Sequence, residues 1–197
     1  STYFFPDSTR EYVLTAQDTN GCVNYDTVMV TIYNLPLVDA GLDSLVICEG
    51  DELMLEGSGA STYAWSQGVV DGVYFSPTTD MTYFVQGVDT NGCINTDSTF
   101  VAIAPLPSID SVGIVDLQYG NDAAIFTYTA GGTPPYVYDW SIDGFGDLDD
   151  GPNLFYINSG QYQLNVYDSL GCLDSTVVDI ASNFQIYIAE AITPNND

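Results

Sequence analysis

Two stretches of this chain are variants of one sequence. Thr9 to Pro36 reads TREYVLTAQDTNGCVNYDTVMVTIYNLP, and Asp80 to Pro107 reads DMTYFVQGVDTNGCINTDSTFVAIAPLP, with Cys22 and Cys93 in register 71 residues apart. A looser third copy, QYQLNVYDSLGCLDSTVVDIA, starts at Gln161. Self-similarity at a fixed period is the mark of an array of like modules, each a small unit that gains stability from its neighbours. The repeat divides the chain into 1–34, the C-terminal half of a module; 35–105 and 106–181, two whole modules; and a tail, 182–197. It implies that the chain begins partway through a module. Modules of this size bury only about 60% of their unfolded surface, so they stand to gain from covalent staples.

The pattern inside each copy is that of a β-strand protein. Short alternating runs rich in Val, Ile, Thr, Tyr and Phe occur at Tyr12–Ala16, Thr27–Tyr33, Glu52–Leu55, Tyr83–Val88, Thr99–Ile103, Ile125–Thr129 and Tyr162–Val166, with Gly, Pro, Asn and Asp clusters between them. No capped apolar run has a helical period. In the middle module the first strand is expected near Pro36–Ala40, resuming at Leu45–Ile47, with a tight turn at Glu49–Asp51. Asn91-Gly92, repeated as Asn20-Gly21, predicts a hairpin turn, since both residues tolerate positive φ. Gly171 alone keeps that signal in the third copy, where the turn is expected to be similar but less firmly specified.

About seven short strands per module, with a tryptophan on the third strand and a tyrosine opening the sixth, describe an immunoglobulin-like sandwich. The predicted fold is all-β: tandem immunoglobulin-like sandwiches stacked end to end. Trp65 and Trp140 are read as core anchors, and Tyr12, Tyr83 and Tyr162 fall where a tyrosine corner belongs. The joints, Leu35-Pro36 and Pro105-Leu106-Pro107, are short and stiffened by proline.

Twenty-seven Asp and Glu against one basic residue, Arg10, with no Lys and no His, restrict function sharply. Such a surface has no cations with which to neutralise phosphates, so a nucleic-acid partner is excluded. No stretch is apolar and long enough to span a bilayer, and membrane insertion is not expected. The acids are read chiefly as solvated faces suited to a salty medium, where screening is short-ranged. Four cysteines in this β-type composition favour an oxidising, extracellular setting.

Residues 37–104, with VDAG, ICEGDELMLEGSG, YAWS and TYFVQGVDTNGC in order, resemble the polycystic-kidney-disease-type and related Ig-like domains found in tandem in giant surface proteins of Bacteroidetes. Residues 131–172, with GGTPPYVYDWS and SGQYQLNVYDSLGC, are similar to the repeats of gliding-motility adhesins of that phylum. The end of the chain, AEAITPNND, is similar to the start of the gliding-motility-associated C-terminal domain, the sorting signal of type IX secretion. The family's motif normally continues past Asp197. The resemblance implies secretion across the outer membrane and display at the cell surface.

Catalysis is disfavoured by what is missing. Without His or Lys there is no Ser-His or Cys-His pair, no Schiff-base lysine and no histidine-containing zinc site. The chain is therefore read as non-enzymatic, with no catalytic residues and no obligate cofactor. Asp143, Asp147, Asp149 and Asp150 lie on a turn-rich segment able to offer oxygen ligands to Ca²⁺, although their spacing does not match the EF-hand pattern and an exposed acidic turn accounts for them as well.

The cysteines carry the sharpest expectation. In such a sandwich Cys48 lies at the turn after the first strand and Cys93 opens the last strand at the opposite end, roughly 25–30 Å away by strand length. That is far beyond the Cα separation of about 7 Å that a bridge tolerates. Cys172 opens the last strand of the following module, at the end facing Cys48, so the expected disulfide is Cys48–Cys172. Cys93 and Cys22 would then pair with cysteines further upstream. Cys48–Cys93, if the first strand is short, and free thiols remain as alternatives. The expected function is that of a stalk or spacer in a long secreted adhesin or fibre, whose partners are the other modules of the chain. Two alternatives are a homo-oligomeric attachment filament and a glycan- or cell-binding module using Tyr136, Tyr138 or Phe145.

Overall fold

The computed structural model describes residues 5–115, 122–142, 148 and 151–182. The chain divides into two compact units: the first comprises residues 1–45, 52–76 and 80–101, the second 46–51, 77–79 and 102–197. The described elements are β-strands and one 3-10 turn at 66–68.

In the first unit, β1 (Arg10–Gln17) and β2 (Val23–Val30) form a two-stranded hairpin sheet. β3 (Ser44–Cys48), β4 (Leu53–Met54), β5 (Thr62–Trp65), β6 (Tyr74–Phe75), β7 (Met81–Val88) and β8 (Ile94–Ala104) build a sandwich, with 46–48 of β3 and 102–104 of β8 falling in the second unit. Its sheets run β3-β8-β7-β5 and β4-β6. The period of two in the sequence appears directly in burial: along β7, Tyr83, Val85 and Gly87 face in while Phe84 and Gln86 face out. Leu55, Trp65, Tyr83, Val85 and Val101 form the buried apolar centre. The first strand is split, as its sequence suggests: Asp39 bridges Ser58, then β3 begins after a bend at 41–43. Two side chains of β8 hold the early part, with the Asp97 carboxylate accepting the Ala40 N–H at 2.8 Å and the Asn95 amide donating to the Pro36 carbonyl at 2.9 Å.

The second unit pairs two three-stranded sheets. One contains β9 (Pro107–Val115), β10 (Ala123–Gly131) and β12 (Asn153–Ile157), in the order β12-β10-β9. The other contains β11 (Val137–Ile142), β13 (Gly160–Tyr167) and β14 (Leu173–Ile180), in the order β11-β13-β14. Ile125 and Leu154 from the first sheet meet Trp140, Leu164, Val166, Val178 and Ile180 from the second in one dry cluster. Asp174 ties the sheets at their edge, accepting the Ile109 N–H at 2.8 Å.

The two tryptophans occupy equivalent places. Trp65 lies opposite Val85 and Trp140 opposite Leu164, each on the strand beside the tyrosine-bearing strand. Each indole N–H finds an acceptor, as a buried tryptophan requires: Asp71 Oδ1 at 2.8 Å for Trp65 and the Gly151 carbonyl at 3.1 Å for Trp140. Tyr162 is buried and its hydroxyl donates to the Asn158 carbonyl four residues upstream, closing a tyrosine corner. Tyr83 is buried edge-on against Phe75. Tyr12 departs from expectation. It is only half-buried, and its ring carries the Arg10 guanidinium instead of a core. Among the described residues the hairpin shares the sequence pattern of β7 and β8 but not their burial.

Candidate functional site

The three sequence repeats converge on one local structure, a five-residue turn that ends in cysteine. In Asp18–Cys22, Asp89–Cys93 and Asp168–Cys172 the aspartate N–H donates to the cysteine carbonyl at 3.0 Å, and the glycine N–H donates back to the aspartate carbonyl at 3.1, 3.1 and 3.0 Å. The aspartate carboxylate closes the turn from inside. Its Oδ1 accepts the N–H of residue 20, 91 or 170 and the N–H of the cysteine, all at 2.8–2.9 Å. The glycines sit at φ of +87°, +82° and +85°, where a Cβ is strained.

The turn is therefore specified by Asp and Gly, not by the Asn-Gly pair. Leu170 replaces the asparagine in the third copy and the same bonds form, so the similar turn expected there is present. Sequence reasoning missed Asp18, Asp89 and Asp168; the available signal was an aspartate four residues before the cysteine in all three copies. A carboxylate accepting two or three N–H groups is stabilised in its charged form. Desolvation raises the Asp168 pKa, yet the amides of Thr133, Cys172 and Leu170, with a further contribution from Gly171, outweigh it and hold the group below the ordinary 3.8. For Asp89 the same contest between desolvation and the Cys93 and Asn91 bonds ends the same way.

The backbone on both sides of each cysteine is thus clamped, which fixes the direction in which its side chain leaves the turn. At Cys172 that direction leads to a disulfide: its Sγ is bonded to Cys48 at 2.05 Å, with Cα atoms 5.5 Å apart and a sequence separation of 124. Cys48 ends β3 and begins a second tight turn, closed by the Asp51 N–H on the Cys48 carbonyl at 3.1 Å with Gly50 at positive φ. The Glu49 N–H, donating to the Ala104 carbonyl at 2.8 Å, anchors that turn. Segment 46–51 belongs to the second unit along with Cys172. Cys172 is 1% exposed. Cys93 is half-buried and Cys22 exposed, and both are free thiols.

The β1–β2 hairpin repeats β7–β8 in register as well as in sequence. Tyr12 opposes Val28 as Tyr83 opposes Thr99, and every other pair from Arg10–Val30 to Gln17–Val23 has its counterpart 71 residues on. Tyr83, Val85, Thr99 and Val101 are buried, whereas the matching Leu14 and Val28 are 67% and 57% exposed. Tyr12, Leu14, Asp26 and Val28 line a shallow open groove on the hairpin. Asn24 and Asp26 stand where Asn95 and Asp97 hold the first strand of the sandwich, and among the described residues each accepts the N–H of the next residue.

The remaining expected positions are less informative. Asp143, Asp147, Asp149, Asp150 and Phe145 lie outside the described residues, as does the end of the chain from residue 183. Among the described residues no group of three or more His, Cys, Asp or Glu is placed to hold a metal ion. Tyr136 and Tyr138 are not the exposed platform expected of them: both are half-buried against the core of the second unit and stacked edge-on at 6.5 Å. No described helix is long and apolar enough to cross a membrane.

No protein-family model matches the chain, and no curated protein does. Solved structures do. The N-terminal eight Ig domains of Down Syndrome Cell Adhesion Molecule (isoform 1.30.30) superpose with a TM-score of 0.52 at 16% identity, covering 88% of this chain and 31% of that one. Titin I-band fragment I67–I69 gives 0.42 at 14% identity over 87% and 74%. A Ca²⁺-stabilised adhesin that helps an Antarctic bacterium bind ice gives 0.41 at 13% identity over 87% and 55%. The fold is immunoglobulin-like, and this chain spans less than a third of the length of the first of these structures.

Proposed function

We propose that the chain is a structural spacer segment of a long extracellular adhesin or fibre, in which residues 1–34, the C-terminal half of a sandwich module, are followed by whole modules at 35–105 and 106–181, and 182–197 opens a C-terminal sorting domain. The observation that carries this reading is the identity of register between β1–β2 and β7–β8, together with the third copy of the same aspartate-capped turn. One hairpin design used three times serves repetition, which a spacer needs and a single binding site does not. The 124-residue interval closed by Cys48–Cys172 supports a load-bearing role, because a pull on the chain ends bypasses everything inside the loop. A disulfide suits an oxidising compartment outside the cell. The secretion route by type IX transport rests on the resemblance of the terminal AEAITPNND.

Pulling the full chain by its ends in a force spectrometer tests the proposal. At about 3.5 Å per extended residue, the bridged interval hides roughly 430 Å of contour length until a reductant is added. A reductant-independent extension overturns the mechanical role. Specific retention of the intact chain on a glycan array replaces the spacer reading with a binding one.

A further inference from the structure

We propose that the Asp-x-x-Gly-Cys turn is a disulfide socket, and that Cys93 takes the thiol of a cysteine held, as Cys48 is, at the strand-end Cys-Glu-Gly-Asp turn of another sandwich of this type. The inference rests on the modular reading above. Its evidence is a bonded copy of the same residue in the same chain: Cys172 occupies an identical turn and carries a disulfide to Cys48. Cys93 has every backbone feature of Cys172. Its N–H is held by Asp89 Oδ1 at 2.8 Å, its carbonyl accepts the Asp89 N–H at 3.0 Å, and Gly92 closes the turn. It differs in being half-buried and free, where Cys172 is buried and bonded.

The occupant follows from the hairpin. Residues 10–30 match 81–101 pair for pair, and they retain Asn24 and Asp26, whose equivalents bind a first strand at Pro36 and Ala40. The sandwich that hairpin completes therefore contains a first strand like 36–48, and the proposed pairing takes that strand to end in a cysteine at the place of Cys48, as 36–48 does and the first strand of 106–181 does not. In chain order that sandwich precedes residues 36–105 as these precede 106–181. Its Cys48-type thiol is the one presented to Cys93. In forming the bond each thiol gives up one proton and one electron. The electron pair goes to a small disulfide such as oxidised glutathione, which leaves as two thiols.

A chain in which a duplicate of residues 36–79 is placed directly before Thr9, in place of the first eight residues, supplies that strand. A Glu52→Asp change in the duplicate marks its cysteine peptide by mass. After oxidation with glutathione disulfide, amide exchange of residues 10–30 reports whether the sandwich forms, and peptide mapping without reduction reports the bridges. The expected result is protection of the hairpin, a bridge between the duplicate cysteine and Cys93, an intact Cys48–Cys172 bridge, and Cys22 as the remaining thiol. In Cys93→Ser the duplicate cysteine then ends as a glutathione adduct. A protected hairpin with Cys93 left as a thiol or glutathione adduct overturns the socket and leaves the modules standing. A hairpin that exchanges as freely as before overturns both.

Discussion

Replacing both cysteines of the bridge, Cys48→Ala with Cys172→Ala, removes the cross-link without leaving a reactive thiol behind. The chain-entropy treatment sets the loss. With 124 residues in the closed loop, the restriction on the unfolded chain is worth about 4.9 kcal/mol at 25 °C. If the first unit stays folded while the second opens, only the roughly 76 residues of the second unit between the cysteines are released, and the figure falls to about 4.5 kcal/mol. The dependence on loop length is logarithmic, so the estimate barely depends on which unit melts first. Measured bridges commonly deliver less than the model, about 2–4 kcal/mol, because the reduced chain keeps some structure. Urea unfolding followed by tryptophan emission reads the difference. At a slope of about 2 kcal/mol per molar, the midpoint of the double variant falls by roughly 1–2 M. A shift below about 0.3 M with an unchanged slope refutes the argument that this bridge restrains the unfolded chain.

Other consequences follow from single contacts. Tyr162→Phe deletes the hydroxyl bond to the Asn158 carbonyl and costs roughly 1 kcal/mol in equilibrium unfolding, whereas Tyr12→Phe, on the exposed hairpin, stays within about 0.5 kcal/mol of wild type. Asp71→Ala strands two donors, Trp65 Nε1–H and the Gly57 N–H, and costs roughly 1–3 kcal/mol; a neutral result shows that water replaces the carboxylate there. The pKa values of Asp89 and Asp168 are lowered in the fold, so the stability they contribute is complete above the unfolded value of about 3.9 and is lost as pH falls through the folded values. Thermal melts of Asp89→Asn/Asp168→Asn from pH 2 to 6 should therefore show a lower melting temperature near neutrality and a flatter acid limb than wild type; parallel curves would contradict the capping role.

Much of the sandwich is legible in the sequence because burial follows the strand period closely. Tyr83, Val85 and Gly87 alternate with exposed neighbours, and Trp65 and Trp140 lie inside as their size demands. The split first strand was visible too, since Gly41 and Asp43 interrupt it. Asn-Gly marks both hairpins where they form, but the acceptor that organises the turn is a carboxylate two residues earlier, a side-chain contact that propensity does not weigh. Tyr12 carries the same local pattern as Tyr83, and pattern alone does not tell whether a facing sheet is present to bury it. The cysteine turn was the least legible part, because what defines it is the set of bonds an aspartate makes, repeated three times.

That aspartate also changes the meaning of the acidity. Read from composition, 27 acids with one basic residue look like a solvated coat. In the fold, Asp18, Asp39, Asp71, Asp89, Asp97, Asp168 and Asp174 each accept a backbone N–H from beyond the adjacent residue, at turns and at the strands they hold. A carboxylate is the strongest acceptor a side chain offers, and bonds to it are worth more than neutral ones. With a single cationic side chain, few ion pairs can compete for these oxygens; among the described residues the pair Arg10–Asp7 is exposed on the surface. Sparing use of Lys and Arg thus leaves the carboxylates for the backbone, and the charge of the chain is partly the means by which its turns are fixed. High salt screens the repulsion between distant acids but leaves hydrogen bonds of 2.8–2.9 Å at Asp89 and Asp168 in place. Added salt should therefore stabilise this fold, in contrast to a protein whose acids are held by surface salt bridges, and a melting temperature that falls as NaCl rises to about 1 M, where the Debye length is about 3 Å, would break this chain of reasoning.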